Sequence, residues 1–282
     1  ASCSDSERNE PILPPDQEQE EPVTPDRPQD YAGLINKTYP VPASYGQEAE
    51  HRGEVVRIDY QTRDYAESTG AARTNTAYVY LPYGYDEHTD RRYNVLYFVH
   101  GHYGTASTTF EAENGLLRKL LDHMTENGDM APTIVVSPSY NYGQPTANYA
   151  DADPYCEALP EELANDLIPI VESRYRTYAE STDVAGLEAS RGHRAIGGFS
   201  MGAVTTWYAL EHTLSCFKYF MPVSADCWSL GRFAGMNLPD ETALYLADIV
   251  SRSPYAGDGF YIWAASGTDD SAYRETLVQV EA

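Results

Sequence analysis

The chain has little positive charge. Its 282 residues carry 19 Lys and Arg against 43 Asp and Glu, a formal net charge of -24, and no stretch forms a basic stripe. Nucleic acids and anionic lipid surfaces are therefore poor partners, and a strongly acidic polysaccharide would be repelled as well. No run of about twenty apolar residues occurs, so nothing in the sequence is suited to spanning a membrane. A phosphate loop, a nicotinamide fingerprint and a zinc spacing are all missing, so neither a cofactor nor a metal is expected. Asp151 and Asp153 form an Asp-x-Asp pair, which is more often a solvated turn than a calcium site. What the chain does have is tyrosine, 24 residues. That side chain joins an apolar ring to a polar tip, which suits sugar- or aromatic-binding surfaces and also ordinary cores.

Residues 1–30 are rich in Glu, Asp, Pro and Gln and have almost nothing to bury. Such a segment cannot offset its conformational entropy by packing, and it reads as a disordered, self-repelling tether ahead of a single domain over residues 31–282. A plain solubilising tail is the alternative. Ala1-Ser2-Cys3 has the form of the end of a bacterial lipoprotein signal, in which Cys3 would carry the lipid, against the alternative of an accidental cysteine. The expected location is secreted or anchored at the cell surface. Nothing in the sequence sets an oligomeric state.

From there strands and helices alternate. Strands are predicted at Glu54 to Tyr60, Thr76 to Leu81, Val95 to Val99, Thr133 to Ser137, Arg194 to Phe199, Tyr219 to Ser224 and Phe260 to Ala265. Uninterrupted β-branched runs such as Thr133-Ile134-Val135-Val136-Ser137 mark strands covered on both faces. Helices are predicted from Phe110 to about Met124, with Leu116, Leu117, Leu120 and Leu121 on one side, from Pro160 onward, and from Asp240 to Val250. A long loop rich in Tyr and Asn is predicted from Pro138 to about Leu159. The alternation implies an α/β fold with a mostly parallel central sheet flanked by helices and ligands at the carboxyl ends of its strands.

Gly198-Phe199-Ser200-Met201-Gly202 fits the G-x-S-x-G pattern, in which a serine sits on a strained strand-to-helix turn. An apolar run precedes it, and Val204, Trp207, Tyr208 and Glu211 follow at helical spacing. Two other loops fall on the same edge: His100-Gly101-His102-Tyr103-Gly104 after one strand, and Gly267-Thr268-Asp269-Asp270 after another.

With Val99-His100-Gly101, Ile196-Gly197-Gly198-Phe199-Ser200-Met201-Gly202 and Gly267-Thr268-Asp269-Asp270, the chain resembles the esterase D-like α/β-hydrolases. Within them it is similar to the feruloyl and acetyl xylan esterases of carbohydrate esterase family one. The resemblance covers roughly Tyr31 to the C-terminus. It implies an α/β-hydrolase fold, Ser200 as nucleophile, the backbone N–H groups of Met201 and His102 as oxyanion hole, and Asp270 as the acid, with Asp269 as fallback.

The same resemblance calls for a histidine after the acid, and none follows Asp270. The expectation is that the family's last strand and helix are missing, so the catalytic histidine is not in the chain and the chain as given is inactive. His100 and His102 are the substitutes to test, either as a recruited base or as a metal pair. Tyr140, Tyr142 and Trp228 are candidate substrate-wall residues, with packing as the alternative role. Cys156 and Cys227, both read as loop residues on the active edge, are a candidate disulfide against the alternative of separate buried thiols. The function expected is a serine esterase acting on feruloyl or acetyl esters of xylan. The alternatives are an acyltransferase or small-thioester hydrolase of the same fold, or a non-catalytic carbohydrate-binding protein on an esterase scaffold.

Overall fold

Seven strands form one sheet in the order β1-β2-β4-β3-β5-β6-β7. They are β1 (Glu54–Arg63), β2 (Ala72–Leu81), β3 (Asn94–Val99), β4 (Thr133–Ser137), β5 (Arg194–Phe199), β6 (Tyr219–Val223) and β7 (Tyr261–Ile262). The first two pair antiparallel, and β2 meets β4 antiparallel. All remaining neighbours run parallel. The computed structural model describes residues 40–257 and 259–282, of which Pro42–Ala282 form one compact unit. The tether expected over residues 1–30, Cys3 and the domain start at Tyr31 lie outside the described residues.

The uninterrupted runs in β3 and β4 follow from burial on both faces. Val95, Tyr97, Val99, Ile134, Val136 and Ile196 belong to the larger core cluster. Val135 instead joins Tyr80, Phe110 and Leu121 on the other face, with Leu96 and Phe98 packed beside them. Between β5 and β6 the chain forms α5 (Met201–His212), in which Met201 through Leu210 are all buried. It is the central helix under the elbow. Among the described residues the α-helices before it are α1 (Thr108–Glu126), α2 (Tyr149–Glu162), α3 (Ile168–Arg174) and α4 (Val184–Ala189), and after it come α6 (Ala234–Asn237), α7 (Pro239–Arg252) and α8 (Tyr273–Glu281).

Four expectations need correction. The loop after β4 ends at Asn148, whose side chain accepts a hydrogen bond from Asp151 N and so caps α2. Pro154 and Pro160 lie inside that helix rather than breaking it. The helix read from Pro160 is thus the continuation of α2 through a wide turn at Leu163–Leu167 into α3. Glu162 is 2% exposed at the end of α2, not at a solvated helix start. In α1 the backbone breaks at Ala112, Glu113, Asn114 and Gly115, the last three at positive φ. That break resets the helical register, and Leu116 is exposed while Leu121 is buried. The last strand is only Tyr261–Ile262, extended by a single bridge between Val223 and Ala265.

Candidate active site

Ser200 lies between β5 and α5 with φ 56 and ψ -118. A side chain there is strained by roughly 1–3 kcal/mol, which persists only where the surroundings fix the backbone. They do so here. Ser200 N donates to Val223 O at 2.9 Å, and Ser200 O receives Ala203 N and Val204 N at 2.8 and 3.1 Å. The flanking glycines are obligatory: a Cβ on Gly198 would meet the Gly202 backbone at 2.5 Å, and one on Gly202 would meet Val99 O at 2.1 Å. Among the described residues, no side chain bonds to Ser200 Oγ.

The loop after β3 lies directly over this turn. A Cβ on Gly101 would stand 3.5 Å from that of Ser200 and 3.4 Å from Phe199 O. Neither His102 N nor Met201 N donates to a partner among the described residues. Two amides are therefore left without a partner near the elbow, one in the loop that passes over it and one at the start of α5.

A brace from the segment after β4 holds the loop. Tyr140 OH donates to Gly101 O at 3.1 Å and lies 3.4 Å from His102 O, and Asn141 Nδ2 donates to Gly104 O at 2.9 Å. His100 is part of the same brace. Its Nδ1–H donates to Gly101 O at 2.8 Å, its Nε2 lies 3.0 Å from Ser139 Oγ, and its ring sits 4.6 Å from that of Tyr140. Burial pushes its pKa down to about 4. His102 Nε2 lies 3.1 Å from Thr146 Oγ1, with its ring beside those of Tyr103 and Tyr149. The His100 imidazole is thus held on both nitrogens within the brace, whereas His102 uses only Nε2 and its Nδ1 is buried without a partner; neither ring is bonded to Ser200. Among the described residues, no group of three or more His, Cys, Asp or Glu could hold a metal ion.

Asp270 is linked to the elbow through the end of β6. Its Oδ2 accepts the Ser224 hydroxyl at 2.6 Å and its Oδ1 accepts Ala272 N at 2.8 Å, whereas Asp269 is exposed. Ser224 directly follows Val223, the residue that takes Ser200 N, so the end of β6 ties the elbow and the carboxylate together. Ser224 was not singled out in the sequence, because its role depends on a backbone at φ 64.

The esterase family model matches residues 68–280. The chain belongs to the esterase family. It is 38% identical over 243 residues, 86% of this chain and 20% of the other, to endo-1,4-beta-xylanase Y of Acetivibrio thermocellus. To the endo-1,4-beta-xylanase/feruloyl esterase of Xylanibacter ruminicola it is 28% identical over 166 residues, 58% of this chain and 20% of the other. The chain thus spans about a fifth of the length of these curated relatives. Among solved structures, a Ser-to-Ala mutant of the feruloyl esterase module from Clostridium thermocellum, complexed with sinapinate, superposes with a TM-score of 0.72. That pair is 36% identical and covers 86% of this chain and 77% of the other. The sheet of this chain is that of the α/β-hydrolase fold shared by this family.

Other residues singled out in the sequence of this family member take different places. Tyr140 is 2% exposed and braces the loop rather than facing a ligand. Tyr142, at φ 52, reaches toward Glu162 and Arg63 O, each at 3.4 Å. Trp228 is 4% exposed, its ring 4.8 Å from Phe233 and its Nε1 bonded to Asp226 Oδ1 at 2.7 Å. Asp226, missed in the sequence, also receives Met236 N at 2.9 Å, and burial raises its pKa against these bonds. The Cys156–Cys227 disulfide is not formed. Cys156 lies on α2 rather than in a loop, Cys227 bonds to Ser229 Oγ, and both are free buried thiols. Of the Asp-x-Asp pair, Asp151 bonds to the Asn148 cap and Asp153 accepts the Tyr208 hydroxyl. A cavity of about 580 Å³ lined by Tyr65, Glu157, Glu161 and His212 lies at the far end of α5, about 18 Å along the helix from Ser200.

Glu162 underlies the brace. Its Oε1 accepts Tyr60 OH at 2.5 Å and Asn75 Nδ2 at 2.8 Å, and the same Asn75 Nδ2 holds Ser139 O at 2.8 Å. Burial pushes Glu162 up to about 7, opposed by these hydrogen bonds. A carboxyl raised from 4.5 gives stability that is complete below about pH 4.5 and is lost as pH rises through about 7. The loss should be on the order of 3 kcal/mol. Unfolding midpoints in urea at pH 5 and pH 8 should show that loss in the parent, and Glu162→Gln should remove most of it. Equal slopes in the two proteins would show that Glu162 is charged at both pH values.

Proposed function

We propose that the chain is a serine esterase that hydrolyses feruloyl or acetyl esters carried by xylan, by way of an acyl-enzyme. The carrying observation is Ser200, held in a strained turn with its hydroxyl unpartnered, under a loop pressed against it at Gly101. The relatives' names, xylanase and feruloyl esterase, favour this reading over an acyltransferase, a thioesterase or a non-catalytic glycan-binding scaffold.

In this scheme Ser200 Oγ attacks the ester carbonyl, and the N–H groups of Met201 and His102 donate to the oxyanion that forms. One such donor contributes about 3 kcal/mol to the transition state. The proton passes from Ser200 to a base and then to the departing sugar hydroxyl, after which water attacks the acyl-enzyme by the same route. Asp270, fixed by Ser224 and Ala272, orients that base. Among the described residues no histidine is bonded to Asp270 or to Ser200 Oγ, so no base is in place in this structure. The 282-residue chain alone should then cleave a nitrophenyl ester no faster than its Ser200→Ala variant. A polymeric xylan substrate also places the enzyme outside the cell, with Cys3 as the candidate anchor.

The reading is tested by offering acetylated and feruloylated xylan to the full-length protein. Release of acetate or ferulate that depends on Ser200 is expected, and no release from either polymer would reject it. Tyr140→Phe removes the hydroxyl that holds both carbonyls of the oxyanion loop. It should cost about 1 kcal/mol of stability and, by loosening one donor, lower kcat about tenfold with KM little changed. An unchanged kcat would show that the loop is held without it.

A further inference from the structure

The tyrosines left open beside Ser200 are not those with the most conspicuous sequence setting. Tyr103 is 78% exposed and Tyr149 is 47% exposed. Their rings flank the His102 imidazole at 4.5 and 4.8 Å, and His102 itself is buried. Gly101, two residues before Tyr103, is the residue pressed against Ser200. Phe199, next to the nucleophile and 48% exposed, continues the aromatic rim.

We propose that Tyr103 and Tyr149 form an open stacking platform for a sugar ring of the xylan that carries the ester. The inference rests on the xylan-ester reading and adds a subsite to it. Two arguments favour a sugar over the acyl group, and a third bears on which sugar. A small apolar acyl group is best served by an enclosed slot that removes most of its surface from water, whereas a polymer continues past the reacting bond and needs an open surface. Tyrosine suits such a surface, because its ring packs on the apolar face of a sugar while its hydroxyl bonds to the sugar's edge. The net charge of -24 favours a neutral glycan over an acidic one.

Both rings stand on fixed backbone, which lowers the ordering cost of binding. Tyr103 follows the loop braced by Tyr140 and Asn141, and Tyr149 opens α2 beside its Asn148 cap. Between them the His102 ring is held through Thr146.

The test is calorimetric titration of the Ser200→Ala protein with unesterified arabinoxylo-oligosaccharide and, separately, with methyl ferulate. Adding Tyr103→Ala and Tyr149→Ala should weaken oligosaccharide binding about tenfold, two ring contacts of the usual strength. Tyr103→Phe with Tyr149→Phe, which keeps the rings, should restore most of it. An unchanged oligosaccharide affinity, no measurable oligosaccharide binding by the Ser200→Ala parent, or a loss that falls on methyl ferulate instead would overturn the platform. Failure of the esterase reading would appear separately, as absence of ester cleavage by the full-length protein with Ser200 intact, and leaves this titration readable.

Discussion

Replacing Ser200 by Gly should make the protein more stable and catalytically dead. The nucleophile's backbone, at φ 56 and ψ -118, is one that glycine adopts without the clash a Cβ brings. Ser200→Gly should therefore gain about 1 kcal/mol in urea unfolding, part of the strain stored at such a residue. Ser200→Ala keeps the Cβ and the strain, and its stability should stay within about 0.5 kcal/mol of the parent. Both variants remove the attacking oxygen, and in the full-length protein both should lower ester hydrolysis by about 10⁴- to 10⁶-fold. A glycine variant less stable than the alanine variant would show that the turn is not strained.

The second large effect is structural. Gly202→Ala puts a Cβ 2.1 Å from Val99 O, 2.7 Å from Val99 C and 2.9 Å from His100 O. All three are backbone atoms of β3 or of the loop after it, which the neighbouring strands hold in place, so no flexible side chain can yield. A cost above about 4 kcal/mol is expected, a large share of the stability of an ordinary domain. The control is Gly192→Ala, whose Cβ would meet nothing closer than Lys218 Cδ at 4.0 Å. It should stay within about 1 kcal/mol of the parent. Soluble yield and urea midpoints decide the comparison, and a Gly202→Ala protein as stable as Gly192→Ala would mean that β3 and α5 do not cross closely.

The elbow was legible in the sequence because sterics leave few choices there: the glycines at 198 and 202 are demanded by backbone contacts. β4 could be read to the residue for a related reason, since burial on both faces writes an uninterrupted β-branched run. The helix from Tyr149 was hidden because Pro154 and Pro160 look like breakers. The Asn148 cap followed by Asp151 was the signal that could have found it. α1 misled because four non-helical residues shift its register while leaving its leucines at regular spacing. The tyrosines were the least legible part. Tyr140 and Tyr142 are two residues apart but serve different networks, and exposure, which separates Tyr103 from Tyr140, is a property of the fold rather than of the residue. Ser224 and Asp226 carry no pattern of their own, because their roles come from the turn that follows β6.

The most direct measurement is the mass of the full-length protein quenched during turnover of a feruloyl ester, followed by peptide mapping. A single feruloyl group on the peptide containing Ser200, absent from Ser200→Ala, is the expected result. Turnover without any adduct that survives in Ser200→Ala, or an adduct on another residue, would contradict the assignment of Ser200 as the nucleophile.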